Sequence, residues 1–120
     1  MRLTKTIVAA AIACVGAFPA VAHHSTTTFY FTDPIEVSGD IEELVWANPH
    51  GILVVKDAKG GFWVGELAAV VDLAAQGLNP TKLPKGLHVD LKALPSRDGS
   101  NRIHIQVIKA DGNVIFDTKE

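Results

Sequence analysis

From Ile35 onward the chain is mostly short alternating runs, with one stretch in which the apolar period lengthens. Ile35, Val37, Ile41 and Val45 fall on one side of a run that ends at Trp46, which predicts a half-buried strand. Gly39 interrupts this run and predicts a bulge or bend there. Ala47 to Gly51 has turn composition, and Ile52 to Lys56 is apolar enough for a buried strand. Asp57-Ala58-Lys59-Gly60-Gly61 predicts a hairpin turn into Phe62-Trp63-Val64. Leu67, Val70, Val71, Ala74 and Ala75 then recur at helical spacing, with Gly77 where a C-terminal cap belongs.

After a stiff connector from Asn79 to Gly86, alternation returns. Leu87, Val89, Leu91 and Ala93 oppose His88, Asp90 and Lys92. Pro95 to Ser100 turns the chain, Ile103, Ile105 and Val107 alternate with His104 and Gln106, and Asp111-Gly112 leads into Val114-Ile115-Phe116. The expected order is β-β-β-α-β-β with a short final strand. One helix between the third and fourth strands points to a mainly β, small OB-like Greek-key barrel rather than a plain sandwich. Such a fold hosts many functions and selects none of them.

The first 22 residues follow a different logic. Arg2 and Lys5 form a positive start, Ile7 to Val15 is uncharged and apolar, and Pro19 precedes Ala20-Val21-Ala22, an A-x-A cleavage site. Residues 1–22 therefore read as a Sec-type signal peptide, residues 23–34 as an N-terminal arm and residues 35–120 as a single barrel domain, periplasmic or secreted. An uncleaved anchor needs a longer run, about 20 apolar residues, and a lipoprotein would carry its lipid on Cys14. No later run approaches transmembrane length.

Cleavage after Ala22 changes the chemistry available. The chain of 120 residues carries a formal net charge of −2. Loss of Arg2 and Lys5 makes the remainder more acidic, which argues against nucleic acid as partner. The one Cys and the one Met, Cys14 and Met1, go with the leader, so thiolate and thioether sites go too.

Cleavage also leaves His23 as a free amino terminus. Its α-amine and ring nitrogen can chelate one metal ion, and His24 adds a second imidazole, a nitrogen set suited to Cu(II), Ni(II) or Zn(II). His50, in the turn after the first strand, is the candidate third ligand. The terminal pair is otherwise a solvated end, and His50 a residue bonded to a backbone carbonyl. His88 and His104 lie on polar strand faces and would be neighbours if their strands pair in register. Trp46, Trp63 and Tyr30 are candidate ligand-stacking residues, or core and arm packing. Glu66 is expected to cap the helix electrostatically, with an acid–base group as the alternative, Asp98 to hold a tight turn, and Arg97 to pair with a carboxylate. No phosphate loop or nucleophile elbow is present.

His23-His24-Ser25, Trp46-Ala47-Asn48-Pro49-His50, Trp63-Val64-Gly65-Glu66 and Arg97-Asp98-Gly99-Ser100 together resemble a bacterial family of small exported proteins of unknown function. The Ala-rich segment after Glu66 and the Thr-rich arm depart from its pattern. The resemblance implies export and one domain, and implies no activity. The expected function is a non-catalytic periplasmic binding protein holding Cu(II) or Zn(II) through His23, His24 and His50. The alternative is a metal-free module binding an envelope protein, peptide or saccharide. A copper oxidase or monooxygenase stands third.

Overall fold

Alternating burial along the strands closes a barrel. A computed structural model describes residues 24–119. The elements are a short helix α1 (His24–Phe29), β1 (Ile35–Val45), β2 (Ile52–Lys56), β3 (Phe62–Glu66), α2 (Val70–Ala75), a 3-10 turn (Pro80–Lys82), β4 (His88–Pro95), β5 (Arg102–Ala110) and β6 (Asn113–Asp117). The sheet runs β3-β2-β1-β4-β5-β6, and a parallel pairing of β3 with β5 closes the first five strands. Val64, Gly65 and Glu66 face Arg102, Ile103 and His104 across that seam. This is the expected OB-like barrel, with β6 added outside it and a second short helix in the arm. The expected leader, residues 1–22, lies outside the described residues. No described helix is long and apolar enough to cross a membrane.

β1 serves two partners. Its first half pairs with β4 and its second half with β2, the exchange falling at Asp40. Gly39 makes this possible, because a Cβ there would lie 2.3 Å from the carbonyl oxygen of Lys56. The bulge itself sits further on: Ile41 and Glu43 pair with consecutive residues of β2, leaving Glu42 extra. One extra residue reverses the faces of everything after it. Leu44 consequently packs against the core and Val45 is exposed, contrary to the strict alternation. Gln106 does the same in β5, so Ile108 rather than Val107 is fully buried.

The interior is aliphatic. Ile41, Leu53, Val55, Val89, Leu91, Ile103, Ile105 and Ile108 fill it, with Phe116 from β6 and Leu67, Leu73, Leu78 and Leu83 from the β3–β4 connection. Each such side chain contributes roughly 1.5–3 kcal/mol by leaving water. α2 is shorter than its apolar pattern. Leu73 is its one buried residue, whereas Val71 is exposed. It ends in a Schellman motif: Gly77 donates to Ala74, Leu78 donates to Leu73, and Gly77 takes the left-handed φ of +83° that such an end requires.

Candidate functional site

The arm lies across the seam at which the barrel closes. Tyr30 forms an isolated bridge with Ser96, the Phe31 amide donates to the Pro95 carbonyl, and the Arg97 amide donates to that of Phe29. Arg97 straps the arm down. Its Nε donates to the carbonyls of Thr27 (3.0 Å) and Tyr30 (3.1 Å), and its guanidinium lies over the Phe31 ring at 4.9 Å. Arg97 thus binds main-chain carbonyls and an aromatic face in place of the expected carboxylate.

Tyr30 is 6% exposed. Its ring packs against His104 with centroids 5.6 Å apart, and its hydroxyl donates to Glu66 Oε2 at 3.0 Å. Burial, then the bond to Glu66, pushes the phenol up to about 12. Glu66 ends β3 and accepts the hydrogen bond of the Tyr30 hydroxyl; α2 begins four residues later, so the expected helix-capping role gives way to arm anchoring.

Two hollows meet here. One, of about 360 Å³, is lined by Thr26, Phe29, Tyr30, Glu66, Ser96, Asp98 and Arg102. The other, of about 180 Å³, is lined by Tyr30, Pro49, His50, Ile52, Val64, Glu66 and Arg102. Tyr30, Glu66 and Arg102 belong to both. The β1–β2 turn supplies His50, and the β4–β5 turn supplies Ser96 and Asp98. Asp98 Oδ1 accepts from Ser96 Oγ (2.7 Å) and the Ser100 amide (2.8 Å). Bonds from Ser100 and Ser96 hold its carboxyl down at about 2.

His50 and Tyr30 thus stand at one site. Neither Trp lines the two hollows. Trp63 donates from its indole nitrogen to Asp57 Oδ2 (3.0 Å), pinning the β2–β3 turn, and Trp46 packs against the core. His23 lies outside the described residues, as does the side chain of His24. Among the described residues no three His, Cys, Asp or Glu side chains are grouped to hold a metal ion.

His88 and His104 are not neighbours. His104 pairs with Leu94 on β4, six residues and about 20 Å along the strand from His88. His88 instead lies 2.9 Å from Asp40 and 3.7 Å from Asp90, and the Asp40 bond raises its pKa.

Arg102 escapes a reading of the sequence. Its phase in β5 places it on the outer face with His104, and only the parallel pairing with β3 sets it opposite Val64, so that it lines the same hollows as Glu66. Neither curated proteins nor solved structures offer a match to this chain. The profile of DUF6152, a family of unknown function, matches residues 10–113, and the chain belongs to that family.

Proposed function

We propose that the protein is an exported, non-catalytic binding module that takes a small polar ligand into the paired hollows beneath the arm. The observation that carries this reading is the convergence of Tyr30, Glu66 and Arg102 on both hollows, with His50 and Asp98 from two separate turns. The larger hollow falls within the range of about 300–1,000 Å³ usual for small-molecule sites. Loops joining the first to the second strand and the fourth to the fifth carry ligands in many OB barrels. Tyr30 and Asp98 are not poised for acid–base work. Tyr30 is held up to about 12 and Asp98 down at about 2, both moving away from neutrality, whereas a general acid or base works best near the operating pH.

The test is an NMR titration of the protein purified after export with a panel of monosaccharides, amino acids and short peptides. Saturable amide shifts at residues 50–52, 64–66 and 96–102 are expected. A panel that leaves these amides unmoved overturns the reading.

A second reading is Cu(II) or Zn(II) held by the His23 amine and ring, His24 and His50. It is favoured by the start of α1, two residues before Thr26, which lines the larger hollow beside the one lined by His50. Copper titration of the processed protein beside a form with one extra N-terminal residue decides it. Equal affinities overturn the chelate.

A further inference from the structure

The smaller hollow divides into an apolar floor and a polar rim. Val64 pairs with Arg102 on one side and Val54 on the other, so Arg102 stands in register beside the apolar lining, or floor, of Ile52, Val64 and Pro49. The rim carries Arg102, Glu66, His50 and the Tyr30 hydroxyl.

The Tyr30 hydroxyl is committed to Glu66 Oε2, and Asp98 Oδ1 to Ser96 and Ser100. Among the described residues, the Arg102 guanidinium has neither hydrogen bond nor ion pair, and Glu66 Oε1 accepts nothing. A planar fork of N–H donors thus stands beside an apolar lining without a bonded partner, its charge acting on Asp98 and Tyr30, and the unbonded oxygen of Glu66 belongs to the same hollow. Arginine in this state matches a carboxylate or phosphate with two parallel bonds. Two nearby carboxylates, Glu66 and Asp98, disfavour a dianion and leave the monoanionic carboxylate as the better guest.

We infer that this hollow binds the carboxyl-terminal residue of a peptide. Its terminal carboxylate lies on Arg102, its apolar side chain on Ile52 and Val64, and its amide N–H is directed at the free oxygen of Glu66. One carbon bearing a carboxylate, an apolar group and an N–H donor is the arrangement that this rim and floor complement. The inference rests on the binding reading above and specifies its ligand.

The experiment follows amide shifts at residues 50–52, 64–66 and 102 in the protein purified after export. The probes are acetyl-Ala-Leu as the free acid, the same peptide as its C-terminal amide, galacturonate and galactose. The free acid is expected to bind about tenfold more tightly than the amide, and Arg102→Gln is expected to abolish the difference. Arg102 is exposed, so the variant is expected to fold, and Arg102→Lys, which keeps the charge without the fork, should recover only part of the preference. Equal binding of acid and amide overturns the inference, as does a preference that survives in Arg102→Gln. Stronger shifts with galacturonate or galactose than with the dipeptide keep the binding site and overturn the peptide. No shifts with any probe overturn both.

Discussion

The Tyr30 hydroxyl donates to Glu66 across 36 residues of sequence and ties the arm to the seam of the barrel. A buried ring and a bond to a carboxylate act together, so the two contributions can be separated by substitution. Tyr30→Phe removes the bond alone and should cost about 1.5–3 kcal/mol, the range for a hydrogen bond to a charged partner. Tyr30→Ala removes the ring as well and should cost about 3–5 kcal/mol while freeing the arm from Ser96. Urea denaturation measures both.

Alkaline titration reads the same contact independently. Tyr30 is the chain's one tyrosine, so phenolate absorbance reports this residue alone. The folded pKa, about 12, lies above the ordinary value of about 10. The stabilisation is therefore fully present below pH 10 and lost as pH rises through 12. Glu66→Gln should bring the phenol's titration down towards 10, although burial will keep it from returning completely.

Asp98 sets the acid limit of the β4–β5 turn. Its folded pKa of about 2 lies below the ordinary carboxylate range. The stabilisation is present above about pH 4 and is lost as pH falls through 2. Asp98→Asn should remove this part of the acid dependence and loosen the turn that carries Ser96 and Arg97. Amide exchange of Ser100, whose N–H bonds to Asp98, should quicken in the variant and, in the unsubstituted protein, on acidification.

Gln76 closes part of the outer edge of β6. Its side-chain amide donates to the Asp117 carbonyl (2.8 Å) and accepts from the Asp117 amide (3.0 Å), imitating a paired strand. Gln76→Ala should cost about 1 kcal/mol and expose that edge. Gln76→Glu keeps the acceptor and loses the donor, so it should fall between the two. Thermal unfolding ranks the three, and exchange of the Asp117 amide locates the effect.

The succession of strands along the chain, the position of α2 and its terminating Gly77 were legible because each depends on local period or local backbone chemistry. Facing was not legible past Glu42 or Gln106. A bulge is a property of two strands paired, so Val45 and Val107 alternated plausibly although Leu44 and Ile108 do the packing. The site was half visible for the same reason. Tyr30 and His50 stood out by residue type, but Glu66 and Arg102 came to line the same hollows only through the β3–β5 seam, which joins residues 38 apart in sequence.

That seam also brings Gly65 against the barrel's interior packing. A Cβ at Gly65 would lie 2.3 Å from Ile105 Cδ1 and 3.2 Å from the Leu53 carbonyl oxygen. Ile105 is fully buried and has no open side to turn towards, so Gly65→Ala should cost about 1–3 kcal/mol as an overpacked core. Because the closest clash is with the terminal methyl of Ile105, with Cγ1 also at 2.9 Å, Ile105→Val should relieve the larger part of it. That change alone costs about 0.5–1.5 kcal/mol, yet in the Gly65→Ala background it should be neutral or stabilising. Gly39 provides the contrast. Its added methyl meets the Lys56 main chain, which no side-chain substitution can move. Denaturation of Gly65→Ala, Ile105→Val and the double variant should therefore reveal a favourable coupling. Simple additivity would show that the seam yields by moving its backbone instead.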